Sequence, residues 1–171
     1  MIPATFFQRL KAFMWDYLII LFYLGLVFVI SVFIFPQVQQ LFTYSPAWSQ
    51  FYGFLIVTLP VSAYFVICDS KLAGQSFGKR KAAIRVTDYS GKPLSIAHSV
   101  ARTAIKFIPW ELSHFLAHRF VVLGEQPVPF SYYVIGGLVY GAMFAYILTA
   151  IFSKKKQALY DRIVRTRVLI S

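Results

Sequence analysis

Apolar and polar positions alternate along this chain in long blocks. Residues 12–35 form an apolar run whose only charged member is Asp16. That length exceeds the roughly 20 residues a spanning helix needs, and Pro36 stops it. A second run covers 51–69, with Pro60 near its middle predicting a kink. A third, 130–152, is uncharged throughout. Between them lies residues 104–123, apolar in outline but interrupted by Lys106, Glu111, His114, His118 and Arg119. The first run follows Arg9 and Lys11, as a signal peptide would, yet it outlasts the roughly 7–15 residues of such a segment and no small-x-small site follows. It is expected to stay in the mature protein.

The connections differ in character. Residues 37–50 carry no charge, and Tyr44 and Trp48 there suit a headgroup zone. Residues 70–95 are basic; AAIRV reads as a strand and DYSGKP as a turn, which predicts a short β-hairpin. The tail, 153–171, carries Lys154, Lys155, Lys156, Arg162, Arg165 and Arg167. The positive-inside rule puts the N-terminus, the basic loop and the tail in the cytoplasm. The number of crossings is then even, so 104–123 must cross as well. The rival is an interfacial helix with three spans and an external tail. The expected fold is an all-α membrane protein, a four-helix transmembrane bundle with a short cytoplasmic β-hairpin, in one domain over residues 1–171.

Composition agrees: 58% of residues are hydrophobic, 19% aromatic and 13% charged. The net charge of +11 raises the question of nucleic acid, but the 17 Lys and Arg form short clusters abutting apolar runs. They read as topology signals and contacts to anionic lipid headgroups, with Lys79, Arg80, Lys81, Lys154, Lys155 and Lys156 as the surface for lipid or a partner. Nucleic acid is not an expected partner. Cys68 is the single cysteine, so neither a disulfide framework nor a thiolate metal site is available. Gly78-Lys79 is followed by Arg80 where a phosphate loop needs Ser or Thr.

Charges inside spans carry the candidate chemistry. An ionised carboxylate costs roughly 2.5–3.5 kcal/mol at helix centre on insertion scales. Asp16 lies about one turn in and calls for a partner; Arg9, two turns earlier on the same face at about 10 Å, is the candidate, with small Ala12 between them. Glu111, His114 and His118 share one face of a helix. Glu-x-x-His can ligate a metal, but the remaining ligands are missing, so hydrogen bonding across helices is expected and no metal or cofactor. Gly137, Gly141 and Ala145 form a small-residue stripe, read first as packing within the bundle.

Together, QRLKAFMWD with Arg9, Ala12 and Asp16, then QSFGKRKAAIRVTDYSGKPLS, Arg102, and finally QALYDRIVRTRV resemble the RDD family of small bacterial membrane proteins over nearly the whole chain. The resemblance implies a multi-pass protein of the bacterial inner membrane. It maps the family's arginine and first aspartate onto Arg9 and Asp16, and its second aspartate onto Asp161, with Asp88 as the rival. Tyr160 and Arg165 stand where the family's tail has His and Gly. It also implies transport of an unidentified ligand.

Two functions follow. One is transport of a small ligand or cation through a polar cluster of Arg9, Asp16, Asp161, Glu111 and His114, since such groups relay protons or replace hydration shells; four spans make a thin wall, which brings in a second copy of the chain. The other is a structural or regulatory membrane partner that docks proteins at its basic face. An enzyme is not expected: His-Glu-x-x-His, a serine elbow and a phosphate loop are all missing from the sequence.

Overall fold

A computed structural model describes residues 2–43 and 45–171; the expectation for Tyr44 lies outside the described residues. Helix α1 (Phe6–Val29) continues through a π-helical turn at Ile30–Ile34, and a 3-10 turn follows at Pro36–Phe42. Helix α2 (Pro46–Gly53), a π turn at Phe54–Thr58 and α3 (Leu59–Asp69) form the return limb. Short α4 (Phe77–Lys81) and β1 (Ile84–Asp88) lead into α5 (Ile96–Leu123); then come α6 (Phe130–Phe152), α7 (Leu159–Ile163) and β2 (Thr166–Ile170). Three of these rods are long and apolar enough to cross a membrane: Phe6–Ile34, Pro46–Asp69 and Phe130–Phe152.

Local chemistry explains the boundaries. Thr5 and Gln8 cap the start of α1 reciprocally, and Ser95 caps α5 by accepting from the His98 amide. Each internal proline removes an N–H, freeing the carbonyl four residues earlier. For Pro60 that carbonyl is Ile56, and the Tyr23 hydroxyl of α1 donates to it at 2.5 Å. For Pro109 it is Ile105, and the Tyr146 hydroxyl of α6 donates to it at 2.7 Å. The two tyrosines thus satisfy backbone groups that lipid could not. The kink expected at Pro60 takes the form of the π turn just before it.

The predicted hairpin does not form. The turn chemistry is real: Asp88 accepts from the amides of Ser90 and Lys92, and Gly91 adopts a φ of 83°. After it, however, the chain runs on to bridge Leu94 with Ser70. Strand β1 instead pairs antiparallel with β2 of the tail, Ile84 opposite Ile170 and Val86 opposite Val168. The far edge of β2 is taken by the N-terminal segment, where the Ala4 amide donates to Val168 and the Ile170 amide to Ile2. Ala4, Ala12, Ala82, Ile84, Val86, Leu94 and Val168 form a compact core beneath this sheet. Among them a one-residue slip would expose Ile84 and Val86, which fixes the long-range register.

The rods themselves bury little. The chain exposes 10527 Å², against roughly 8600 Å² for a soluble monomer of its mass. Helix α1 packs chiefly on α4, while α5 packs on α3 and α6 and, through its far end, on α2. Gly137 and Gly141 have nothing near enough to meet an added Cβ. The two glycines of the stripe therefore face away from the protomer, which corrects the expectation of internal packing there; Val139, on the other side of α6, and Ala150 are its buried positions.

Candidate functional site

Three of the four aspartates, Asp16, Asp69 and Asp161, are at most 2% exposed. They lie at one end of the bundle, where the start of α1, the end of α3, α4, the start of α5 and α7 meet. Such burial of carboxylates is tolerated only with full pairing and hydrogen bonding.

Asp16 does not pair with Arg9. Donors from α4, its N-cap and α3 come to it instead: the Gly78 amide donates at 2.7 Å, the Ser76 hydroxyl at 2.6 Å and the Tyr64 hydroxyl at 2.8 Å. The approach is close because position 78 is glycine; a Cβ there would stand 1.9 Å from the Ala12 carbonyl oxygen. Small Ala12 thus admits α4 to the face of α1 that carries Asp16. Arg9 reaches the other way, its Nη1 donating to Asp161 at 2.8 Å and its Nη2 to the Lys156 carbonyl at 2.5 Å.

Arg102 joins the remaining pieces. Its Nη1 donates to Asp69 at 2.7 Å and its Nε to Asp161 at 2.8 Å, with the side chain 4% exposed. Asp69 also accepts from the Lys79 ammonium at 2.5 Å. The result is one line of alternating charge, Lys79–Asp69–Arg102–Asp161–Arg9, with Thr166 donating to Asp161 from β2 at 3.0 Å. Burial alone would push the Asp161 carboxyl up, but Arg102 and Arg9 outweigh that and hold it below the usual carboxylate range. The neighbouring Tyr160 phenol is pushed up to about 12 by burial and by the Asp161 charge.

Lys79 was expected on the lipid or partner surface; it is buried and paired, because α4 turns it toward Asp69. Arg80, Lys81, Lys154, Lys155 and Lys156 are exposed. Sequence reasoning missed Tyr64, Asp69, Ser76, Gly78 and Thr166 as site residues and reached Arg102 only through the family resemblance. The signal available was the isolated acid at the end of an apolar run.

Glu111 and His114 belong to a second cluster. The Thr58 hydroxyl donates to Glu111 at 2.5 Å, the Trp110 indole donates to Thr58 at 3.1 Å, and His114 Nδ1 stands 3.7 Å from Glu111. His118 stacks on Phe42 at the opposite end from Asp161, and Arg119 there donates to Gln50 at 3.0 Å. From Arg102 to Glu111 is about 14 Å along α5, so the two clusters are separate. Arg9, Asp161 and Arg102 meet directly, and Asp16 joins through α4; Glu111 and His114 do not join them.

Apolar rods, tyrosine-satisfied prolines and buried, mutually paired charges define an integral membrane protein. The sequence matches the RDD family over residues 3–165, and the chain belongs to that family. No curated protein and no solved structure matches it. Arg165 adopts a φ of 54°, the left-handed region that glycine enters at least cost.

Proposed function

We propose that the chain crosses a bacterial cell membrane four times, with both termini, residues 70–95 and the tail 153–171 in the cytoplasm, and that it moves a small charged ligand. The fourth crossing is α5. Its start is tied to the ends of α1, α3 and α7 through Arg102, and its far end lies beside α2 through Arg119 and His118, so it runs alongside the apolar rods. Its charges point at partners rather than at lipid, as intramembrane charges must.

The observation that carries transport is a groove of about 490 Å³ between α3 and α5, lined by Thr58, Ser62, Thr103 and Glu111 among apolar side chains. It includes Thr58 and Glu111 of the second cluster and extends along α5 to Thr103, the residue after Arg102, whose hydroxyl is buried without a partner among the described residues. A ligand bound at the charged end would pass along hydroxyls to Glu111. Purified protein in liposomes should then show a flux that Glu111→Gln abolishes without changing its gel-filtration profile. Flux no greater than that of empty liposomes under every imposed gradient refutes transport.

A structural or regulatory role is the second reading. It is favoured by the saturation of all three buried aspartates with donors, the arrangement of a lock. Exposed Arg80, Lys81 and Lys154–Lys156 would then hold anionic headgroups or dock a membrane partner. Under this reading neutral replacements lower abundance and leave no flux to lose.

A further inference from the structure

Beside the ion-pair line is a cavity of about 110 Å³, lined by Arg9, Asp16, Phe65, Lys79, Arg102, Lys106 and Tyr160, among others. We propose that it binds one small monovalent inorganic anion, of chloride or nitrate size, against Lys106. The inference goes beyond the transport reading above and stands or falls separately from flux: the anion is a resident of the charged end, not the ligand that passes Glu111.

Charge balance is the first support. Arg9, Lys79, Arg102 and Lys106 line the cavity with four basic side chains; Asp16 lines it too, and Asp69 and Asp161 pair with Lys79, Arg102 and Arg9 from outside it, three carboxylates in all. With Lys106 protonated the sum is one surplus cation on a half-buried side chain. An anion bound beside it offsets that charge and holds the ammonium form, where otherwise the amine would shed its proton.

Unused donors are the second support. The Lys106 ammonium sits 3.7 Å from the centre of the Phe65 ring and makes no hydrogen bond among the described residues. An ammonium has three donors, and a ring face satisfies none of them fully. Arg9 keeps a buried Nε with no partner among the described residues. The acceptors, by contrast, are taken. Asp16, the one carboxylate on the cavity wall, already accepts from Tyr64, Ser76 and Gly78. A cation entering the cavity would find no free carboxylate, whereas an anion finds free donors. Size is the third. At about 30 Å³ per water the space holds a few waters, which admits a small inorganic anion and excludes nucleotides and sugar phosphates.

The test is thermal unfolding of the purified full chain, titrated with sodium chloride or sodium nitrate against sodium gluconate at constant ionic strength. Wild type should show a saturable rise in Tm of about 5–10 °C by the time the anion reaches about 100-fold its Kd. Lys106→Met should be more stable than wild type in gluconate, because the surplus charge is gone, and should not respond to chloride. Lys154→Met, at an exposed lysine, should keep the full response. Equal Tm for wild type in chloride and gluconate overturns the proposal, as does a Lys106→Met protein that still saturates. Should Lys106→Met fail to fold, broadening of the chloride-35 NMR line by wild type, reversed by nitrate, decides the matter: no reversible broadening overturns it. Binding without flux would overturn the transport reading and leave this site standing.

Discussion

Arg102→Met tests the ion-pair line at its centre. The substitution keeps the bulk of the side chain and removes a guanidinium that bonds two carboxylates, at 2.7 Å and 2.8 Å, with 4% of its side chain exposed. Removing one partner of a buried pair costs about 3–5 kcal/mol, because the charge left behind stays buried. Asp69 retains Lys79 and Asp161 retains Arg9, so the loss should fall near the lower end. At about 2–4 °C per kcal/mol for a chain of this size, the expected drop in Tm is about 6–12 °C. Tryptophan fluorescence of purified protein in detergent reads it. Arg102→Lys should fall between, since one ammonium cannot span both carboxylates as a planar fork does. Arg80→Met, at an exposed position, should shift stability by no more than about 0.5 kcal/mol. An Arg102→Met protein within about 2 °C of wild type would refute the claim that this line holds the charged end together.

Other substitutions probe separate joints. Gly78→Ala should lift α4 from α1, since the new methyl would meet the Ala12 carbonyl at 1.9 Å; faster protease cleavage within residues 70–83 is the readout. Tyr146→Phe should cost about 1 kcal/mol by stranding the Ile105 carbonyl, and that cost should vanish in a Pro109→Ala background, where the restored amide takes the bond. For pH, Asp161 has a folded-state pKa below its unfolded value. Its contribution is therefore present above the unfolded pKa of about 3.9 and lost as pH falls through the folded one. Stability should hold from pH 7 to about pH 5 and decline below about pH 4, with a shallower decline in Asp161→Asn.

How much of this was legible beforehand depended on the range of the contact. Apolar length located the rods, Pro60 marked an irregular turn in the second, and Asp88-Tyr89-Ser90-Gly91 gave its turn. All of these are set by neighbours within a few residues. The β1–β2 pairing joins positions about 80 residues apart, and no local pattern distinguishes it from a hairpin. Lys79 illustrates the same limit: within Lys79-Arg80-Lys81 nothing local separates the buried lysine from its exposed neighbours, and only Asp69 in space does. Helical spacing pairs Asp16 with Arg9, but Ser76 and Gly78, some 60 residues downstream, bring closer donors to it. The Arg9–Asp161 contact was reachable because the family resemblance singled out both residues.

The most direct test of the whole arrangement is which side of the membrane each connection occupies. In a Cys68→Ser background, single cysteines placed by Glu125→Cys, Ser90→Cys and Ser171→Cys are exposed in intact cells to a membrane-impermeant maleimide. A four-span bundle with its ion pairs on the cytoplasmic side predicts labelling from outside at position 125 alone, with 90 and 171 reacting only after lysis. Protection at 125 together with labelling at 171 would contradict it, since α5 would then lie along the surface and its charges would face no bundle.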